Sequence, residues 1–176
     1  MKKHGDYRVE ILDTHGRLVT TKRRADVDKT RDALHVVYIF VVTPEGKLLL
    51  SRIPSDPTKK NLFPGKLSVT VATIVRAGET HLRAAKRALR HELRAMPADL
   101  TFLGETLENF AGLPKRLVAT YMGTLNEMSI VPNTEHVEAI VPVSRKELEE
   151  LFNKPGAIAP TLSLFWGRHA ESFDEH

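Results

Sequence analysis

The residues with the clearest capacity for chemistry lie in one short stretch, residues 78–93, with the sequence GETHLRAAKRALRHEL. Two carboxylates, Glu79 and Glu92, stand near its ends, and His91 stands next to the second. Carboxylate oxygens are the ligands that Mg²⁺ prefers, whereas an imidazole nitrogen suits Mn²⁺ or Zn²⁺ better. The arginines between the carboxylates, among them Arg87, carry a permanent charge and forked donors that match phosphate oxygens. The stretch therefore has the residue types of a site for a divalent ion and an anionic ligand.

Each of these residues also has a simpler structural explanation. Glu79 stands near the start of a predicted helix, where the helix dipole favours a negative charge. Glu92 lies at the edge of the apolar face of that helix, and a partly buried carboxylate there needs a cation or a hydrogen-bond partner. Arg87 can supply that partner, and so can a metal ion. A single histidine such as His91 is more often a surface or packing residue than a ligand.

The composition limits the kind of protein that this chain can be. Its 176 residues suit one domain with a sizeable core, and the absence of cysteine excludes disulfides, thiolate metal ligands and a cysteine nucleophile. No apolar run approaches the roughly 20 residues that span a bilayer, and the basic N-terminus lacks the apolar segment of a signal peptide. We therefore expect a cytoplasmic protein with no membrane partner. The net charge of +4 suits an anionic ligand or a weak nucleic-acid contact equally well, and no feature indicates a specific nucleic acid.

Hydrophobic periodicity predicts the elements that position these residues. Alternating patterns predict an N-terminal hairpin, then a buried strand and its return, and a further strand that enters through a Pro-Gly turn. A helix follows, and later strands precede a second helix that begins at Ser144 with a capping box to Glu147. The predicted strands are 7–13, 18–22, 33–42, 48–53, one within 62–75, 100–106, 116–124 and 137–143, and a short C-terminal helix is predicted over 161–173. This order predicts an α/β sandwich with a mixed sheet.

The helix of the opening stretch has two distinct sides. At about 100° per residue, an apolar face forms on one side and a stripe of arginines on the other. The predicted apolar face consists of Leu82, Ala85, Leu89, Leu93 and Met96, and the stripe consists of Arg83, Arg87, Arg90 and Arg94. Like charges spaced in this way repel one another, which makes the stripe most useful beside an anion.

At this point the chain resembles the Nudix superfamily, whose box reads Gly-x5-Glu-x7-Arg-Glu-U-x-Glu-Glu-x-Gly-U, with U aliphatic. The segments LLLSRI, NLFPGKLSVTVATIVRAGE and EHVEAIVPVSRKELEEL are also similar to that family, and the resemblance covers residues 8–153. The positions that match the box are Glu79, Arg87, Leu89 and Glu92. The positions that depart from it are Thr73 and Arg94, where the box has glycine, and Ala88 and His91, where it has glutamate. Without the second glycine, we expect the helix to continue toward Met96 or to end differently.

The resemblance implies a fold and a chemistry. The fold is the Nudix-type α/β/α sandwich with a mixed β-sheet and, here, an N-terminal β-hairpin; residues 1–32 are the hairpin and connector, 33–153 the core and 154–176 a C-terminal segment of a single domain. The implied reaction is hydrolysis of a nucleoside diphosphate-type compound with Mg²⁺ or Mn²⁺. The implied catalytic residues are Glu92 and Glu79, the metal ligands Glu92, Glu79, His91 and Glu138, and the substrate-binding residues Arg52, Lys66, Arg87 and Arg24. A homodimer is possible for this family.

The layout is most similar to the isopentenyl-diphosphate isomerase-like branch of the superfamily. His35 matches one metal-binding histidine of that enzyme. The position of its catalytic cysteine falls on Ala72, and that of a following metal-binding histidine falls on Ile74. A chain without cysteine lacks the usual protonation chemistry, so the isomerase activity is disfavoured.

Three functions of different classes remain open from the sequence. The first is a metal-dependent diphosphate hydrolase with an altered centre at Glu92, Glu79 and substitutes such as His91 or Glu138. The second is a Nudix domain that binds a nucleotide or a protein partner without turnover, with the arginine stripe neutralising phosphate charge. The third is a structural or oligomerisation role in which the cleft is unused. We favour the first, by analogy with the family.

Overall fold

The computed structural model of the protein describes residues 6–59, 61–109 and 113–173. These residues form nine strands and three α-helices. The strands are β1 (Arg8–Leu12), β2 (Leu18–Arg23), β3 (Ala33–Val42), β4 (Leu48–Arg52), β5 (Leu67–Ser68), β6 (Val71–Ile74), β7 (Leu100–Glu108), β8 (Lys115–Thr124) and β9 (Ala139–Val143); the helices are α1 (His81–Glu92), α2 (Arg145–Phe152) and α3 (Pro160–His169).

Strand β3 is the centre of a mixed sheet. It runs parallel to β8 along its whole length, from the pair Ala33 and Lys115 to the pair Val42 and Thr124. Along its other edge it pairs antiparallel with β1, then β6, then β4. Strand β7 pairs with β8, and β5 and β9 pair with β4. The predicted mixed sheet is confirmed, and so is the N-terminal hairpin, since β1 and β2 pair antiparallel.

The two faces of the sheet are covered by different helices. Tyr38 and Phe40 of β3 lie in an apolar cluster with Leu148 of α2 and Phe165 of α3. The alternate residues of β3 lie in a second cluster with the buried face of α1, which includes Leu89. Because successive side chains of a strand point to opposite faces, one buried strand supplies both clusters. The predicted α/β/α sandwich is therefore present.

The segment after the Pro-Gly turn forms two short strands, where the sequence predicts one. Strand β5 pairs with β4, whereas β6 pairs with β3. The buried Thr70 lies between them, where its hydroxyl accepts a hydrogen bond from the backbone N–H of Val41 at 2.9 Å and donates one to the carbonyl of Leu49. The hydroxyl replaces backbone hydrogen bonds of the sheet at the point where the chain stops pairing with β4 and begins to pair with β3. The β-propensity of the residues alone does not reveal such a change of partner strand.

Helix α1 begins just after Glu79, as predicted, and it stops short of Met96, so of the two expected outcomes it is the changed ending that occurs. Thr80 caps its N-terminus, with its side chain accepting from the backbone N–H of Arg83. The buried face consists of Ala84, Ala85, Ala88, Leu89 and the capping residue Leu93. Leu82 was predicted in this face, but it is 38 % exposed, so this part of the prediction is wrong. The helix ends at Glu92 although the box glycine is absent, and Arg94 takes that position with a φ of 51°, so the four-arginine stripe does not continue along the helix.

The C-terminal elements follow the prediction closely. Ser144 and Glu147 form the expected capping box at the start of α2. Helix α3 begins with Pro160 in its first turn, as expected for a residue without an N–H donor, and a 3-10 turn over Ala170–Phe173 completes the predicted helical segment. None of the helices in the described ranges is long and apolar enough to cross a membrane.

Candidate functional site

A cleft of about 500 Å³ lies where β6, α1 and the start of β8 meet. Strand β6 supplies one wall through Ala72, Thr73 and Ile74, and the last turns of α1 supply another. Tyr7 and Arg24 close it from the N-terminal hairpin side, and these residues lie far from α1 in sequence. The stretch with the clearest capacity for chemistry therefore faces a cleft of the molecule.

Arg87 is held rigidly in this cleft by the residues around it. Its Nε and Nη2 donate to the two carboxylate oxygens of Glu79, each at 2.9 Å. Nη2 also donates to the carbonyl of Ile74 at 3.0 Å, and Nη1 to the hydroxyl of Thr73 at 3.3 Å. Thr73 stands where the box has its first glycine, so the departure provides an additional acceptor for this arginine.

Glu79 is the structural partner of that arginine. Burial alone would raise the pKa of Glu79, but the hydrogen bonds from Arg87 and from the backbone N–H of Arg76 hold its pKa below the ordinary value. The Arg76 N–H lies 3.1 Å from one carboxylate oxygen. Both oxygens of Glu79 are thus engaged in joining the loop before α1 to the helix.

Glu92 differs from Glu79 in almost every respect. Its side chain lines the cleft, and burial raises its pKa to about 8, although the charge of Arg87 opposes the change. Within the described residues, no hydrogen bond reaches its carboxyl group, and the prediction that Arg87 could pair with it is wrong because Arg87 pairs with Glu79. The backbone carbonyl of Glu92 accepts from the N–H of Asn133 at 2.7 Å, which fixes the helix end. A raised pKa of this kind favours the protonated form of the Glu92 carboxyl group at neutral pH.

The other predicted metal ligands lie in two different places. His91 lines the cleft beside His136, and their ring centroids are 4.9 Å apart. Glu138 accepts a hydrogen bond from the backbone N–H of Ser55 at 2.7 Å, and this bond holds the pKa of Glu138 below its ordinary value. Across residues 6–59, 61–109 and 113–173, no three His, Asp or Glu side chains are gathered so as to hold a metal ion. The side chains present therefore do not fit a preformed carboxylate centre for Mg²⁺ or Mn²⁺.

Four arginines line the cleft, and they give it its chemical character. Arg24 and Arg87 were expected at this site, whereas Arg76 and Arg116 were missed. Arg76 lies over the ring of Tyr7, with its guanidinium carbon 4.8 Å from the ring centroid. Arg76 lies two residues after the end of β6, and its position between a strand and the box was the one sequence signal that could have identified it.

The two remaining basic residues of the prediction lie outside the set that lines this cleft. Arg52 donates from Nη1 to the carbonyl of Gly65 at 3.1 Å. The Lys66 amino group lies 5.8 Å from the centroid of the Phe63 ring. Both positions brace the loop between β4 and β5, so a part in substrate binding stays a prediction for them.

Comparison with known proteins agrees with the fold. Residues 32–164 match the family model of the NUDIX domain. A Nudix hydrolase from Yersinia pestis is 31% identical over 85 residues, which are 48% of this chain and 45% of that protein. The chain spans about half the length of the curated relatives that it matches.

Two solved structures show the same fold at low sequence identity. The DR0079 protein from Deinococcus radiodurans superposes with a TM-score of 0.77 at 21% identity, over 92% of this chain and 98% of that one. The NUDIX domain of NrtR from Shewanella oneidensis, solved with ADP ribose, has a TM-score of 0.63 at 15% identity, over 84% of this chain and 94% of that one. With the family model matching most of its length, this chain belongs to the NUDIX domain family.

Proposed function

We propose that the chain hydrolyses a diphosphate-containing compound of the nucleoside diphosphate type, bound in the arginine-lined cleft. The observation that carries the proposal is the combination of Arg24, Arg76, Arg87 and Arg116 with one half-buried carboxyl group of raised pKa, Glu92, around a single cleft. The ADP ribose in the related NUDIX domain supports the same class of ligand.

The arginines would bind and neutralise the diphosphate. Guanidinium groups pair with phosphate oxygens through forked, charge-assisted hydrogen bonds. Arg87 uses four donor contacts within the protein, three to side-chain oxygens and one to a backbone carbonyl, which leaves one of its five N–H groups for a ligand. Because its position is fixed before binding, this arginine can stabilise charge that develops on the phosphoryl oxygens without reorganising.

Glu92 would act as the acid–base group. Its pKa of about 8 lies close to a working pH, where a general base is most effective. In the proposed step, a water oxygen forms a bond to phosphorus, the bond to the leaving phosphate oxygen breaks, and the Glu92 carboxylate accepts the proton of the water. Glu79 would contribute by positioning Arg87, since both of its oxygens are engaged.

The part played by a divalent ion stays a prediction from the resemblance. The donors in the described residues do not fit a preformed centre, so we assign no step to an ion. Dependence on Mg²⁺ or Mn²⁺ is therefore tested separately from the part played by Glu92.

The test is a turnover assay on nucleoside diphosphate derivatives, with ADP ribose among them, in EDTA, Mg²⁺ or Mn²⁺. We expect wild type to release a phosphorylated product and Glu92→Gln to lose activity by about 100-fold or more. Glu45→Gln, in the exposed turn between β3 and β4, is the matched control and keeps wild-type activity. Equal turnover by wild type and Glu92→Gln would overturn the proposal. If the ligand binds but is not hydrolysed in EDTA, Mg²⁺ or Mn²⁺, the result would point instead to a NUDIX domain that only binds its ligand.

A further inference from the structure

A second cavity of about 210 Å³ adjoins the arginine-lined cleft. The two share Ala72 of β6 and Arg116 of β8 in their walls. A volume of this size exceeds the space that one water molecule needs by about an order of magnitude. The cleft and the cavity are therefore neighbouring compartments, and a ligand that fills the first can extend into the second.

The second cavity is lined differently from the cleft. Ile53, Leu62, Phe63 and Leu113 give it apolar walls, and Leu62 is 53 % exposed although it is a large hydrophobic residue. Its lining also includes the hydroxyl groups of Ser68 and Thr161 and the amide group of Asn61. An apolar slot with a few polar groups is the usual environment for a ring that is apolar on its faces and polar at its edge.

Arg116 lies at the boundary between the two compartments. Its Nη1 donates to the hydroxyl of Tyr38 at 2.8 Å. Tyr38 is itself fixed, since its ring meets that of Phe165 edge-on with the centroids 4.8 Å apart. The Nε of Arg116 is buried and has no acceptor among the described residues. An anion at this boundary supplies an acceptor to a guanidinium group that the protein leaves incompletely paired.

We propose that the second cavity binds the planar heterocyclic base of the substrate, and that Arg116 binds the phosphate group nearer to that base. This inference rests on the proposed function, because it assigns the two halves of a nucleoside diphosphate-type compound to the two compartments. The phosphates lie among the arginines, and the base lies against Phe63 and Leu62. Covering Leu62 with the base removes exposed apolar surface from water.

The test measures binding and does not depend on turnover. Affinities of wild type for ADP, GDP, CDP and UDP are compared by calorimetry with that for inorganic pyrophosphate. We expect at least one nucleoside diphosphate to bind about tenfold more tightly than pyrophosphate, from the ring contacts. Equal affinities for pyrophosphate and all four nucleotides would overturn the inference. If a nucleoside diphosphate binds more tightly than pyrophosphate but no substrate is hydrolysed, the proposed hydrolysis is rejected and the base-binding cavity is not.

Two variants locate the preference in the second cavity. Leu113→Trp fills the cavity, and we expect it to lower the nucleotide affinity to that of pyrophosphate while the pyrophosphate affinity stays unchanged. Leu18→Trp, at a residue 59 % exposed on β2, is the matched control and keeps the preference. If Leu113→Trp does not fold, as judged by circular dichroism, Phe63→Ala is used and is expected to remove the preference by loss of ring contact. If either Leu113→Trp or Phe63→Ala still binds the nucleotide more tightly than pyrophosphate, the inference is contradicted.

Arg116→Gln tests the boundary residue. We expect it to weaken binding of pyrophosphate and of the preferred nucleotide alike, by about fivefold or more, because a charge-assisted contact to phosphate is lost. Wild-type affinity for both ligands in this variant would overturn the part assigned to Arg116.

Discussion

Arg87 holds the Glu79 carboxylate with two nitrogen atoms at once, and both nitrogen–oxygen distances are 2.9 Å. The same guanidinium group reaches the backbone of β6 at Ile74. The Glu79 side chain is only 14% exposed and that of Arg87 only 28% exposed. Because this pair is largely shielded from water, it joins helix, loop and strand more firmly than an ion pair on the open surface would.

Loss of the Glu79 charge is expected to destabilise the fold. Glu79→Gln keeps the size of the side chain but leaves Arg87 without its counter-charge, so we expect the free energy of unfolding to fall by about 1–3 kcal/mol. Urea unfolding at pH 7 measures the change. Asp26→Asn is the control, because the pair of Asp26 with Arg23 is exposed to solvent, which screens it, and contributes little to stability. Equal effects of the two substitutions would contradict this explanation.

Glu92 is expected to make stability fall as the pH rises. Burial raises its folded-state pKa from 4.5 to about 8, so the folded protein keeps a proton that the unfolded chain has lost. The protonated Glu92 contributes fully to the free energy of unfolding below the unfolded-state pKa of 4.5. This contribution declines as the pH rises and is lost above about pH 8. The slope is at most about 1.4 kcal/mol per pH unit. Urea unfolding across this range should show a decline for wild type that is absent in Glu92→Gln; parallel curves would contradict it.

The proposed hydrolysis has a pH dependence of its own. The step needs the carboxylate form of Glu92, so kcat/KM is expected to rise with pH and to level off above about 8. The profile is measured at limiting and at saturating substrate concentrations, with either Mg²⁺ or Mn²⁺ held at one fixed concentration. Glu45→Gln is expected to follow the wild-type profile. A rate that falls over the same interval would assign a different protonation state to the active form.

Arg94 is expected to be a site where glycine stabilises the protein. Its φ of 51° lies in the left-handed region, which costs a residue with a Cβ atom about 1–2 kcal/mol. Part of this gain is offset by the greater freedom of glycine in the unfolded chain, so Arg94→Gly should raise the free energy of unfolding by about 0.5–1 kcal/mol. Thermal and urea unfolding measure it.

The matched control for Arg94 is Arg90→Gly. Arg90 is exposed within α1, where glycine lowers stability by about 1 kcal/mol. The same substitution four residues apart is therefore expected to act in opposite directions. Destabilisation at both positions would show that the backbone at Arg94 is not strained.

Elements with strong local signals could be predicted from the sequence. The run of β-branched and aromatic residues predicts β3 with its observed ends, and Ser144 with Glu147 predicts the start of α2. The split between β5 and β6 was missed because it depends on Thr70, whose hydroxyl bonds to strands elsewhere in the chain. The division of the chain at residues 32 and 153 stays a prediction.

The site was predictable only where its residues belong to the box. Glu79, Arg87 and Glu92 are found by spacing, but spacing does not distinguish the carboxylate that holds an arginine from the one that faces the cleft. That distinction comes from the hydrogen bonds of Arg87. Arg116 was missed because it stands in β8, and only the pairing of β8 with β3 brings it to the cleft.

The parallel pairing of β3 with β8 has a consequence for how the protein folds. Ala33 pairs with Lys115, a separation of 82 positions, so a long loop must close before this ladder yields any stabilisation. We therefore expect slow folding, limited by the meeting of two distant chain segments. Since Arg116 reaches the cleft only through that pairing, an anion that binds it there would raise the midpoint of global unfolding instead of protecting one local segment.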